Sequence, residues 1–163
     1  MNDTIIAWAT KTLNVVHGCS KPIETATDGR RFVSPECLKC YAEKLSMKNH
    51  WTNHFWTEPN EALNVQLHPE RFKEIRKLKV KSPSLPPSER ERIFICSMGD
   101  IFHRLVPHEF LEELTVWMRT YAHIYMLLTK RPERAVDFSQ SVELPEKRMA
   151  RDHCRTSGHA VPT

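Results

Sequence analysis

Two apolar runs, each followed by a stretch of helical periodicity, restrict this chain to a narrow set of folds. Ile93, Phe94, Ile95 and Cys96 form a continuous β-favouring run that ends before Gly99 and Asp100, as a strand buried on both faces does. Pro107 then opens a segment in which Phe110, Leu114, Trp117, Met118 and Tyr121 recur on one face at a period of about 3.6 residues. A second run, Ile124 to Leu128, stops at the polar Thr129, Lys130 and Arg131, and Pro132 to Phe138 can start another helix. Strand, helix, strand, helix implies an α/β fold on a parallel sheet, because parallel neighbours need a crossover that a helix supplies. Ligand-handling loops in such folds lie at the carboxyl ends of the strands. Three loops therefore carry the functional candidates. They are Gly18, Cys19 and Ser20 onward, Cys96 through Ser97, Met98 and Gly99 to Asp100, and Thr129 to Arg131.

The amino-terminal half is less periodic. Ile5 to Trp8 and Asn14 to Val16 are strand candidates, and Cys40 to about Trp56 has helical residues, with Tyr41, Leu45 and Met47 or the Lys48 stem facing inward. Val65 and Leu67 alternate with polar residues as in a short strand. Phe72, Ile75 and Leu78 then recur every three positions, as in a helix that also carries Arg71, Lys73, Arg76, Lys77 and Lys79. The three prolines between Ser82 and Ser88 mark an exposed loop.

At 163 residues the chain has the size of one domain, expected over 1–145 with an irregular tail over 146–163. Runs such as Ile124 to Leu128 are far short of the roughly 20 apolar residues that cross a bilayer, and no basic stretch precedes an apolar one at the amino terminus. A cytoplasmic protein without membrane contact is the expectation. The net charge of +4 permits an anionic partner without demanding one. Arg71 to Lys81 is the stretch through which nucleic acid would bind, although a solvated basic helix face accounts for the same residues.

In that compartment the five cysteines, Cys19, Cys37, Cys40, Cys96 and Cys154, are expected to be reduced thiols, and clustered reduced thiols point to metal. Cys37 and Cys40 form a CxxC pair, and Cys19 ends a strand candidate from which a loop can bring it to the same point. Thiolates select zinc, cuprous copper or iron–sulfur clusters. Zinc needs a fourth ligand, which His17, His50 or His54 can supply as a Cys3His site. An iron–sulfur cluster held by three cysteines leaves one iron open to a substrate or cofactor. Cys96 reads as a small buried hydrophobe, and His103 and His123 as hydrogen-bonded structural histidines. Trp51 and Trp56 lie where they can shield a cluster or serve as core.

Four blocks in order carry a resemblance. Trp8 with Asn14-Val15-Val16-His17-Gly18-Cys19-Ser20-Lys21 and Ser34-Pro35-Glu36-Cys37-Leu38-Lys39-Cys40-Tyr41-Ala42-Glu43 make the first. Val65 to Arg71, Ile93 to His103 (with Ser97-Met98-Gly99-Asp100) and Leu128-Thr129-Lys130-Arg131-Pro132-Glu133-Arg134 follow. Together they resemble an uncharacterised phage-protein family related to radical S-adenosylmethionine enzymes. The resemblance implies a partial (β/α) barrel of radical-SAM type with parallel strands, incomplete at its carboxyl end. It implies that Cys19, Cys37 and Cys40 hold a 4Fe-4S cluster whose open iron chelates S-adenosylmethionine. The expected activity is generation of a 5′-deoxyadenosyl radical that abstracts hydrogen from an unknown substrate, with an electron donor protein as partner in a phage or prophage setting. By position, Ser97 and Asp100 are candidates for the amino or ribose groups of S-adenosylmethionine, and Lys130 and Arg131 for a carboxylate or phosphate.

Two departures accompany it. Cys19 and Cys37 stand 18 positions apart, so a loop must close before a shared site forms, at a cost that grows only by about 0.6 kcal/mol per doubling of length. After Leu144-Pro145-Glu146 no further apolar strand follows, so a truncated member is expected. The competing readings are a small zinc-binding module, with nucleic-acid binding through Arg71–Lys81, and an inactive remnant.

Overall fold

The computed structural model describes residues 1–78, 86–121 and 123–142. Its four-stranded main sheet begins with β1 (Asn2–Asp3) and β2 (Lys11–Leu13). Between β2 and the rest of that sheet the chain makes β3 (Val16–His17), β4 (Ile23–Thr25), β5 (Arg31–Val33), α1 (Pro35–Leu38), α2 (Tyr41–Lys48), α3 (Glu61–Asn64), β6 (Gln66–Leu67) and α4 (Glu74–Lys77). The carboxyl-terminal part is β7 (Arg92–Ile95), α5 (His108–Thr120), β8 (Ile124–Leu127) and α6 (Pro132–Ser141). The sheet order is β1-β2-β7-β8, with β1 antiparallel to β2, and β2, β7 and β8 parallel. The expected strand–helix–strand–helix segment is therefore β7-α5-β8-α6, with β7, α5 and β8 within one residue of their predicted bounds and α6 running on to Ser141.

β7 is one of the two inner strands, and Ile93, Phe94 and Ile95 are all buried because both faces are covered. α5 turns Phe110, Leu111 and Leu114 into the core, with Trp117, Met118 and Tyr121 packed at its margin. α6 adds Ala135 and Phe138, and the segment around α4 adds Phe72 and Ile75. The last paired residues of the three parallel strands, Leu13, Ile95 and Leu127, lie side by side in register. The connections that leave those strand ends therefore start from one edge of the sheet.

The amino-terminal half departs from expectation in four places, the first being that Asn14 and Val15 fall between β2 and β3 rather than in one strand with Val16. Ile5 to Trp8 is no strand: Ile5 is fully exposed, and the chain turns there, with Ala9 bonded back to the Ile6 carbonyl. The ladder begins at Lys11 instead. The Cys40 helix stops at Lys48, because His50 takes a positive φ of 56° that ends the α run. Its buried face is Ala42, Glu43 and Ser46, while Tyr41 and Leu45 are exposed. Small and polar residues face inward because this helix packs against loops and polar partners rather than against the sheet core.

The long step between Cys19 and Cys37 is filled by a β-hairpin. β4 and β5 pair antiparallel, and Ser34 N–H bonds to the Pro22 carbonyl at 3.2 Å, closing the insertion at its base. The chain is thus returned to Cys37 beside the point where it left Cys19. The expected tail 146–163 with Cys154, the boundary at 145, and Lys79, Lys81 and most of the proline-rich loop lie outside the described residues. Among the described residues no helix is long and apolar enough to cross a membrane.

Candidate metal centre

The three loops singled out from the sequence meet at one place. Gly18 N–H donates to the Met98 carbonyl at 2.9 Å, and Gly18 bridges Gly99 in parallel. This seats the Cys19 loop on the loop that follows β7. Cys37 lies in α1, and Cys40 is the N-cap residue of α2. The pair is held to the same loops from two sides: the Tyr41 hydroxyl donates to the Ser97 carbonyl, and Glu36 pairs with Lys130 at 3.5 Å.

Cys19 and Cys40 both pack on a small cluster of Ala42, Trp56 and Met98. Burial pushes the Cys19 thiol up to about 11, against the opposing pull of Arg131, and Cys37 adds to the rise. Burial raises the Cys37 thiol as well, with Cys40 as its next contributor. Each thiol thus feels the next, so the three form one electrostatic neighbourhood. The thiols of Cys19, Cys37 and Cys40 are all free. Among the described residues no group of three or more His, Cys, Asp and Glu side chains is set to hold a metal ion.

Arg131 joins the loops. Its guanidinium donates to Cys19 Sγ at 3.4 Å, to Asp100 Oδ2 at 2.8 Å and to the Ser20 carbonyl at 2.6 Å. Asp100 is buried and accepts three further bonds, from Phe102 N–H at 3.0 Å, Thr129 Oγ1 at 2.7 Å and Lys130 N–H at 3.1 Å. The side chains of Asp100 and Arg131 are therefore committed inward. Ser97 Oγ donates to Asn14 Oδ1 at 3.1 Å and keeps its own lone pairs, and half-exposed Lys130 pairs with Glu36.

The family described as a protein of unknown function (DUF5131) matches residues 3–153. The chain belongs to that family. No curated protein and no solved structure matches it. The family match spans all three cysteines and all four loop candidates, so Cys19, Cys37, Cys40, Ser97, Asp100, Lys130 and Arg131 lie within the family's own segment.

The histidines weighed as zinc ligands are placed otherwise. His17 accepts from Arg71 at 3.2 Å, stacks on Trp51 and meets the His68 ring edge-on, while His50 and His54 are exposed. Arg71 itself bonds the Asn14 carbonyl at 2.8 Å, so the first cation of the basic stretch is drawn into the fold. Cys96 is buried in the core, its thiol pushed by burial up to about 12, and its φ of 63° turns the chain sharply out of β7 into the site loop. Trp56 is core beneath Cys19 and Cys40, whereas Trp51 is half exposed.

Sequence reasoning missed the layer behind Cys19. Buried Glu43 accepts from Trp56 N–H at 2.8 Å and pairs with Lys21 at 2.6 Å, tying α2 to the Cys19 loop. Ser20 Oγ lies 2.8 Å from His103 Nε2 and 3.1 Å from Glu61 Oε2, and Arg104 closes the network on Glu61 at 2.9 Å. Leu105 N–H donates to His103 Nδ1 at 3.2 Å. Ser20 N–H reaches the other ring nitrogen, Nε2, at 3.3 Å, and Ser20 Oγ donates to Glu61. Glu61 and His103 are 42 positions apart, so no local spacing signals their meeting.

His103 is fully buried, and burial, followed by the charge of Arg131, lowers its pKa from 6.5 to about 4 despite Glu61 and Asp100. A histidine lowered on folding binds fewer protons in the native state. Its contribution is therefore complete above pH 6.5 and is lost as pH falls towards 4, a change of about 2–3 kcal/mol. Urea denaturation followed from pH 7 to pH 4 should show this fall, flattened in His103→Gln. His17, lowered to about 4 by burial and by Arg71, and His123, lowered by burial, contribute to the slope that the variant keeps. An identical slope in wild type and His103→Gln refutes the assignment.

Proposed function

We propose that this chain is an iron–sulfur protein of the radical S-adenosylmethionine type, in which Cys19, Cys37 and Cys40 hold a 4Fe-4S cluster. The observation that supports this reading most is the return of the chain, by the hairpin at its base, from Cys19 to the Cys37 and Cys40 pair, beside the ends of the parallel strands. The parallel set β2, β7 and β8 serves in it as the opening of a partial barrel. When bound, the cluster and S-adenosylmethionine supply one-electron cleavage of the sulfonium to methionine and a 5′-deoxyadenosyl radical, with the electron coming from a donor protein.

The chain's own residues bind, orient and exclude water. Trp56, Met98 and Ala42 form the apolar floor under Cys19 and Cys40, which covers one side of those sulfurs. The Ser97 hydroxyl oxygen is free to accept from an amino group, and Lys130 can meet a carboxylate while keeping Glu36. Asp100 and Arg131 act by holding the loops rather than by touching S-adenosylmethionine. The three thiols fit a cluster with one open iron better than a Cys3His zinc site, since His17 is engaged with Arg71, Trp51 and His68.

Anaerobic reconstitution with iron and sulfide, with metal analysis and electron paramagnetic resonance, tests this. Wild type is expected to take up about four irons per chain, with a spectrum altered by S-adenosylmethionine, and Cys37→Ala to lose nearly all of that iron. A folded wild-type protein that retains only zinc overturns the reading and favours the zinc-binding module.

A further inference from the structure

Arg131 makes more of the site's geometry than its place in the sequence implies. Its side chain is only 17% exposed, and it reaches a thiol, a carboxylate and a backbone carbonyl on two other segments. Asp100, which steers it, is itself fixed by Thr129, by two backbone N–H groups and by its own burial. The guanidinium therefore has one orientation, with an N–H directed at Cys19 Sγ. Among the described residues no such donor reaches the sulfur of Cys37 or Cys40, and the Cys19 thiol itself donates to the Ser20 carbonyl at 3.1 Å.

We propose that Arg131 is the positioning residue for the Cys19 ligand, fixing the direction of its sulfur and holding a permanent positive charge beside it, and that it thereby raises the reduction potential of the bound cluster. The proposal rests on the iron–sulfur reading above. A donor and a cation beside a ligand sulfur favour the more negative, reduced state, and a site that excludes water strengthens the effect. Lysine keeps the charge but lacks the planar fork that spans Asp100, Ser20 and Cys19 at once.

The test compares wild type, Arg131→Gln and Arg131→Lys after anaerobic reconstitution, reading iron per chain, thermal unfolding, and midpoint potential by a redox titration followed by electron paramagnetic resonance. The expected result is a midpoint lowered in Arg131→Gln and lowered by less in Arg131→Lys, at equal iron content. An unchanged midpoint in an iron-loaded Arg131→Gln protein overturns the role of Arg131 and leaves the cluster intact. If Arg131→Gln does not fold or load, Arg131→Lys decides: a lowered midpoint supports the role and an unchanged one overturns it. A wild-type protein that takes up no iron overturns the cluster reading and this inference with it.

Discussion

Gly18→Ala is expected to cost about 2–5 kcal/mol of stability and to carry the Cys19 loop out of place. Two separable terms make up that figure. Gly18 has a φ of +80°, where an L side chain costs about 1–2 kcal/mol. A Cβ there would also lie 1.9 Å from the Asn64 carbonyl oxygen and 2.5 Å from its carbon, and forced overpacking of this kind costs about 1–3 kcal/mol or more. The obstacle is backbone at the end of α3, and it cannot step aside. Asn64 is buried, its side chain is bonded to Thr52 at 2.6 Å and to the Phe55 carbonyl at 3.0 Å, and Gly18 is held from the other side by Met98 and Gly99. Gly29 supplies the control. Its φ of +83° is similar, but a Cβ there meets nothing within 4 Å, so Gly29→Ala is expected to lose only about 1–2 kcal/mol. Urea denaturation of both variants reads the difference. Equal losses at the two glycines would show that Gly18 is not pressed against Asn64.

How much of this was legible in the sequence follows from which residues are paired locally. β7, α5, β8 and α6 were readable because each carries its own period and its own stop. Ile93 to Ile95 run into Gly99 and Asp100, and Pro107 and Pro132 open the helices. Ile5 to Trp8 misled because four apolar residues fit a strand equally well when they form an exposed turn, and only the partner across the sheet decides. The α2 face misled for a related reason. Its inward residues Ala42, Glu43 and Ser46 are matched to Trp56 and Lys21 rather than to an apolar sheet, so hydrophobic periodicity reports the wrong side. The three thiols were nominated by residue type, but the hairpin that carries the chain from Cys19 back to Cys37, pinned by Ser34 and Pro22, has no signature beyond a turn at Gly29. The Ser20, Glu61 and His103 network is assembled from distant segments and is invisible to any local pattern.

Asp100→Ala is expected to lose about 3–5 kcal/mol as well, by the opposite route of removing a partner rather than adding an atom. The carboxylate accepts from Phe102 N–H, Thr129 Oγ1, Lys130 N–H and Arg131. Alanine would leave those donors, the buried Phe102 N–H among them, unmet and the Arg131 cation without its counter-charge, and breaking one side of a buried ion pair costs about 3–5 kcal/mol. Asp100→Asn should fall between, since one amide oxygen can still accept while the amide nitrogen opposes the donors around it. The cost arises from an unpaired Arg131, so removing Arg131 too should return part of it. Asp100→Ala with Arg131→Ala is therefore expected to be less destabilising than the two single losses combined, by about 1–3 kcal/mol in a double-mutant cycle. Strict additivity across the cycle would mean that the two side chains act independently. In that event the tie between the loop after β7 and the loop after β8 would have to come from Gly18, Met98 and Thr129 instead.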